Sequence, residues 1–183
     1  MTAGRTRYGP AVAPFTFRPL TPVDLPLLHR WLQEPHVRAF YDDGLRTLGD
    51  VEAYYASEWD GPNLLYLASE DGVPFAYLQA YRIADHPAYA AAVQVGATDA
   101  AIDMLIGEPD RAGRGLGGPL LRQFAEEVVA LATGARVIWI GPSPDNTRAI
   151  CAYTKAGFVP VKTVRIPTTG EDEYFMRLAL GSG

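Results

Sequence analysis

Cysteine is almost absent from this chain. Cys151 is the single one among 183 residues, so an intramolecular disulfide is excluded, and a reducing, cytoplasmic setting is the default expectation. Long apolar runs are missing as well; no stretch approaches the roughly 20 consecutive apolar residues of a membrane span. The opening MTAGRTRYGPAVAP is basic but has no apolar h-region. It reads as a short, poorly ordered lead over residues 1–14, not as a secretory signal. Histidine is scarce: His29, His36 and His86 share no metal-ligand spacing and have no thiolate company, so no metal is expected. Positive charge is outnumbered, with 16 Lys and Arg against 21 Asp and Glu for a net charge of −5. Without a basic cluster a nucleic-acid surface is not expected, whereas a small cationic partner suits the balance.

What is present is the composition of a water-soluble globular chain, 48% hydrophobic and 20% charged. A single domain over residues 15–183 is expected. FTFRPL (15–20) alternates and reads as a first strand. Thr21-Pro22 signals a helix start, with Leu25, Leu28, Trp31 and Leu32 on one face. EPHVRAFYDDG (34–44) breaks that helix, and Thr47 caps a further helix running to Trp59. NLLYLASEDGVPFAYLQAYRI (63–83) is two apolar runs flanking Asp71-Gly72, a tight hairpin signal. HPAYAAAVQVGATDA (86–100) has little pattern and reads as a loop. AIDMLIG (101–107) reads as a buried strand. The spacing of Leu120, Phe124 and Val128 predicts a helix over 119–133. ARVIWIG is a strand. SPDNTRAICAYTKAGF is a helix with Ser143 as cap, Pro144 at its first position and Gly157 at its exit. FVPVKTVRI and DEYFMRLAL close the chain as strands. The fold class is therefore α/β (α+β), a mixed and mostly antiparallel sheet flanked by helices.

DRAGRGLGGPLL (110–121) decides between an enzyme and an anonymous domain. From the glycines alone, Gly113, Gly115, Gly117 and Gly118 could serve a flexible strand-to-helix connection. Their placement suits something else equally well. A strand delivers the chain, glycines let backbone amides turn inward, and a helix N-terminus follows, which together favour an anion. Arg111 and Arg114 add positive charge. A P-loop is excluded because Gly118 is followed by Pro119-Leu120, not by Lys-Ser/Thr. A dinucleotide fingerprint is excluded because the glycines follow an antiparallel hairpin past the chain's midpoint.

IDMLIGEPDRAGRGLGG followed by PSPDNTRAICAYTKAGF resembles the GCN5-related N-acetyltransferases, the GNAT superfamily. Within it the chain is most similar to the aminoglycoside 6′-N-acetyltransferases and their siderophore-acylating relatives. The resemblance spans Phe15 to Leu180. It implies a sheet splayed between its fourth and fifth strands, with acetyl-coenzyme A as the donor whose pantetheine arm enters the gap. It further implies backbone pairing of that arm with Met104, Leu105 and Ile106, and a pyrophosphate held by main-chain nitrogens of Arg114, Gly115, Leu116, Gly117 and Gly118. Two departures stand out. Ala112 occupies a slot that usually holds Arg or Gln, with Arg111 one residue earlier, and the segment before Asp103 carries only Asp99 in place of a Trp- and Glu-rich acidic loop.

The resemblance also gives side chains roles, each beside a plainer reading. Tyr153 would protonate the departing thiolate, being a phenol of pKa about 10; on spacing alone it is a core aromatic. Asn146 would bind the pantetheine arm, or simply cap a helix. Asp103 interrupts an apolar strand, where a carboxylate is expensive without a partner; it would bind and orient the substrate ammonium, or face solvent at a strand edge. Phe40, Tyr41, Asp42 and Asp43 suit a polycationic sugar, although the two acids also fit a solvated surface. Gln79 matches a polar pocket position. The leading expectation is acetylation of the 6′-amine of an aminoglycoside, an antibiotic-resistance activity. A siderophore hydroxylysine amine or peptide N-terminus is the alternative, and a non-catalytic sensor of coenzyme A or antibiotic is a third. A monomer or homodimer is expected.

Overall fold

The computed structural model of the chain describes residues 14–41 and 44–181. The lead over residues 1–14 lies, but for Pro14, outside the described residues, as do Asp42 and Asp43. Strand β1 (Phe15–Pro19) leads through a 3₁₀ turn at Pro22–Asp24 into α1 (Leu25–Leu32), which buries Leu25, Leu28, Trp31 and Leu32. A short α2 (Pro35–Arg38) follows, then α3 (Leu48–Glu58). The start of α3 is set locally. Thr47 Oγ1 accepts from the Asp50 amide at 3.1 Å and Asp50 Oδ2 accepts from the Thr47 amide at 2.7 Å, a reciprocal cap.

Strands β2 (Leu64–Glu70) and β3 (Val73–Arg82) form the expected hairpin. Asp71 and Gly72 both have positive φ, 52° and 78°, as a two-residue turn matched to right-handed strand twist requires. The segment after β3 corrects the sequence expectation of a loop: Pro87–Val93 is a helix, α4. Its pattern was masked because only Val93 is fully buried, while Tyr89 and Ala90 pack at the margin of a small apolar cluster.

Strand β4 (Ala100–Ile106) is followed by the glycine turn and α5 (Gly117–Phe124). That helix runs on through a π-helical turn at Ala125–Val129 into α6 (Ala130–Thr133). After β5 (Val137–Ile140) comes α7 (Thr147–Lys155), then β6 (Val159–Arg165) and β7 (Asp172–Ala179). Helix α7 corrects the predicted start. Its cap is Asn146, whose Oδ1 accepts from the Ala149 amide at 3.1 Å. Ser143 instead closes a turn, its carbonyl accepting from the Asn146 amide at 2.9 Å.

The strands form one sheet in the order β1-β2-β3-β4-β5-β7-β6. Every pairing is antiparallel except β4 with β5. On one face α5 and α7 cover a core built around Phe75, Leu78, Ile102, Phe124 and Met176. On the other, α1 and α3 pack over Leu67, Tyr77 and Leu105, and α4 packs over Trp139 and Phe175. Burial of large side chains such as these, worth about 1.5–3 kcal/mol each, sets the layer order. Among the described residues no helix is long and apolar enough to cross a membrane.

Candidate active site

The sheet opens where the chemistry is expected. Strand β4 pairs with β3 along its whole length, from Ala100 opposite Arg82 to Ile106 opposite Ala76. On its other edge it pairs with β5 only at Ala100 and Ala101. Beyond that point the two parallel strands diverge, and the β5-facing edge of Asp103–Ile106 has no strand beside it. A wedge holds the closed end. Trp139 stacks on Phe175 at 4.9 Å and donates from Nε1 to Asp99 Oδ2 at 2.7 Å. The fork is therefore built in, not a loose end.

A cavity of about 960 Å³ fills the fork. Its walls are Asp103–Ile106 of β4, Gly115–Pro119 at the start of α5, Ile140–Ser143 after β5 and much of α7. His36, Val37, Phe40 and Tyr41 close it from the α2 side, with Phe40 51% exposed. His36 is fastened to β4 by a 2.9 Å contact between Nε2 and the Ile106 carbonyl. The far end of β4 is anchored by Gly107, where any side chain would collide with the Trp31 ring. Trp31 Nε1 donates to Glu108 Oε1 at 2.9 Å, and Arg30 pairs with the same carboxylate.

The glycine turn has the backbone shape that an anion cradle needs. Gly113 and Gly115 have φ of +77° and +82°, which other residues adopt at a cost. The first amide of this helix end to find a main-chain partner is that of Leu120, bonded to the Leu116 carbonyl at 3.0 Å. Gly117 and Gly118 thus present the orphan donors of a helix start to the cavity. Gly118 also lets α5 touch α7, since a Cβ there would lie 2.8 Å from the Ala152 carbonyl oxygen. One side-chain cation facing the turn is not among those singled out from the sequence: Arg148 of α7 lies over Gly113 and lines the cavity. Arg111 is engaged elsewhere, in an ion pair with Glu70 of β2. It shares a separate depression with Arg114, whose Nη1 donates weakly to the Asp110 carbonyl at 3.5 Å.

Asp103 lies at the fork on the cavity wall. Gln79, directly opposite on β3, donates from Nε2 to Asp103 Oδ2 at 2.9 Å. Tyr77 donates its hydroxyl to Gln79 Oε1 at 3.0 Å, which orients the amide. Tyr81, one strand repeat along, also favours the charged form of Asp103. Burial nonetheless pushes the Asp103 carboxyl up from its ordinary value, against the Gln79 hydrogen bond and the influence of Tyr81 and His86. That makes Asp103 a better proton acceptor than an ordinary aspartate. Across the fork Tyr153 is only 8% exposed and lines the cavity. Burial, and then the charge of Asp103, raise its phenol above the usual tyrosine value, so it keeps its proton at neutral pH.

The predicted residues thus divide. Met104, Leu105, Ile106, Gly113, Gly115–Gly118, Asn146, Tyr153, Asp103, Phe40 and Tyr41 all line one cavity, and Gln79 supports it from behind Asp103. Asp99 is a correction. It is buried, accepting from Trp139 Nε1 and from the Gly96 amide at 3.1 Å, so its carboxylate pins the closed end of the fork and does not line the cavity. The residues the sequence reading missed are Tyr81, Tyr89, Arg148 and Glu173. Tyr81 was findable, because it shares a strand face with Gln79. The others had no local signal.

Comparison with known proteins decides the family. The model of the acetyltransferase (GNAT) domain matches residues 21–166. The chain belongs to the GNAT acetyltransferase family. A curated relative, aminoglycoside N(6′)-acetyltransferase type 1 of Klebsiella pneumoniae, is 31% identical over 176 aligned residues, covering 83% of this chain and 77% of the relative. The crystal structure of aminoglycoside acetyltransferase AAC(6′)-Ib with coenzyme A superposes with a TM-score of 0.75 at 29% identity, over 90% of this chain and 94% of that one. An uncharacterized protein of Bacillus halodurans superposes with a TM-score of 0.81 at 26% identity, over 90% of this chain and 83% of that one. As a GNAT acyltransferase the chain takes its acyl group from acetyl-coenzyme A. The residues present fit that donor, with a glycine cradle and Arg148 for phosphate and an open strand edge for an amide-bearing arm.

Proposed function

We propose that this chain acetylates a primary amine of an aminoglycoside, the 6′-amine, by direct transfer from acetyl-coenzyme A. The observation that carries the reading is Asp103, a desolvated carboxylate opening into the fork opposite a buried, protonated Tyr153. The 6′-aminoglycoside acetyltransferases similar in sequence and in structure support the substrate class.

The coenzyme, when bound, supplies a thioester whose carbonyl carbon is the electrophile. Main-chain amides of Gly115–Gly118 and the Arg148 guanidinium would hold its phosphates, and the β4 edge at Met104–Ile106 would align its arm. Holding two reactants in register supplies a large part of the rate. Asp103 binds the ammonium and takes its proton at a carboxylate oxygen, because only the free amine has a lone pair to attack with. Gln79 keeps that carboxylate turned toward the cavity. The Tyr153 hydroxyl gives its proton to the leaving sulfur. Phe40 and Tyr41 offer aromatic faces to the sugar ring.

One observation favours a smaller amine as a second reading. Asp99 is turned inward, which leaves fewer carboxylates to capture a multiply charged antibiotic than an acidic loop would provide. A siderophore hydroxylysine amine or a peptide N-terminus fits that site. The test is thiol release from acetyl-coenzyme A with kanamycin, ribostamycin, a hydroxylysine and a short peptide. Turnover concentrated on the aminoglycosides upholds the proposal. Turnover of only the smaller amines replaces it with the second reading.

A further inference from the structure

Asp103 is not the only carboxylate at the fork. Where β4 and β5 are still paired, Ala100 lies opposite Ile138 and Ala101 opposite Trp139. Carried further along both strands, that register sets Asp103 against Gly141 on the two banks of the opening. Asp103 shares its strand face with Ala101 and Leu105, which pack under the α1, α3 and α4 layer, while Ile102 faces α5 and α7. Trp139 belongs to the α4 layer too, so a side chain at position 141 would point the same way. Gly141 has none. Its place is filled from β7, because a Cβ on Gly141 would collide with the Glu173 carboxylate. Glu173 stands on the face of β7 that carries Phe175, under α4, and Gly141 is part of the cavity wall. One face of the sheet therefore carries two carboxylates, one on each bank.

The two are held alike. Gln79 Nε2 donates to Asp103 Oδ2 at 2.9 Å, and the Tyr89 hydroxyl donates to Glu173 Oε2 at 2.7 Å. Among the described residues no donor lies at hydrogen-bond distance from the second oxygens, Asp103 Oδ1 and Glu173 Oε1. Those oxygens are not sealed in, since no buried side-chain polar atom there lacks a partner. No described Lys, Arg or His forms an ion pair with either carboxylate, and no third ligating side chain joins them into a metal site. Burial, with the charges of Asp103 and Glu171, raises the Glu173 carboxyl to about 7 against the Tyr89 hydrogen bond. Holding two desolvated carboxylates on neutral donors costs native stability. A cation would offset that cost.

We propose that Glu173 selects the acceptor, binding a second ammonium group of the substrate while Asp103 holds the amine that reacts. The inference rests on the amine-acetylation reading above and narrows its acceptor to a diamine. Paired strands run about 4.8 Å apart and the banks here are wider, a spacing that two amines on one small ring or short chain can span. Each open oxygen then accepts from one ammonium, a charge-assisted hydrogen bond in a partly desolvated setting. Glu173 touches no reacting atom. It is a specificity-determining residue, hidden from a sequence reading because the bank position itself, Gly141, has no side chain.

Two measurements test the assignment. The first needs no turnover: carboxyl NMR of the protein with coenzyme A, carrying ¹³C-labelled glutamate, with Glu173→Gln to assign the resonance. 1,3-Diaminopropane should move the Glu173 resonance with a dissociation constant about tenfold or more below that of propylamine, the scale of one hydrogen bond to a charged group. A resonance that ignores the diamine, or that follows both amines alike, overturns the inference. The second compares kcat/KM for ribostamycin with that for 6-amino-6-deoxyglucose, which carries a single amine. Glu173→Gln should cut that ratio about tenfold or more, through the KM of ribostamycin, with rescue by Glu173→Asp. An unchanged ratio also overturns it. No turnover of ribostamycin counts against the substrate reading, and the diamine titration still decides the role of Glu173.

Discussion

The two sides of the fork are made from different materials. On the α5–α7 side the cradle is backbone: glycines at positive φ, the amides of a helix start, and the open edge of β4. On the α4 side the site is side chains alone, Gln79, Tyr81, Tyr89, Asp103 and Glu173, contributed by four separate elements. A main-chain cradle tolerates many side chains around it but no bulk at its glycines. A side-chain network tolerates backbone variation but no loss of a hydrogen-bonding atom. The first suits a donor shared across a family, and the second can be retuned for each acceptor.

The comparison makes predictions in descending size. Asp103→Asn removes the proton acceptor while keeping volume and a hydrogen-bonding partner for Gln79. It should lower kcat/KM for the amine by about 10²–10⁴ and leave coenzyme affinity, measured by calorimetry, nearly unchanged. Equal losses in both would erase the division between the two sides. Gly118→Ala attacks the other side, placing a methyl group 2.8 Å from the Ala152 carbonyl oxygen. It should push α5 off α7, cost about 1–3 kcal/mol of stability and weaken the coenzyme before it touches the amine's KM. Thermal melts together with coenzyme titration check it.

Glu173→Gln gives the smallest effect, and its sign is opposite. Because the folded state raises this carboxyl from 4.5 to about 7, the native protein binds more protons than the unfolded chain between those values. Stability therefore falls as pH rises through that window and stays lowered above it. The glutamine variant should match the wild type near pH 4. By pH 8 it should be the more stable by about 1–2 kcal/mol, read from melts at the two pH values. An equal difference at both would show that Glu173 is held by packing and not by its charge.

Much of the scaffold was legible before any coordinates. The Asp71-Gly72 turn, the Thr47 cap and the apolar run around Asp103 each carry their signal within a few residues, as do the glycines ahead of α5. Helix α4 was not, since its single fully buried residue, Val93, makes no period. The cap of α7 was misplaced because Ser143-Pro144 and Asn146 are both plausible starts, and only the bond to the Ala149 amide distinguishes them. Asp99 and Asp103 look alike in sequence, two acids four positions apart. One is tied to Trp139 and the other opens into the cavity, an outcome set by which neighbours the sheet brings up.

The sequence alone carried the family resemblance, the glycine turn ahead of α5 and the acid within the β4 run, because motifs, helix starts and strand patterning are local properties of the chain. Only the tertiary structure decided which carboxylates share a site. Tyr81, Tyr89, Asp103 and Glu173 come together solely because β3, β4, α4 and β7 converge at the point where β5 parts from β4. Contact between residues so far apart in sequence depends on packing, which no short stretch of chain encodes.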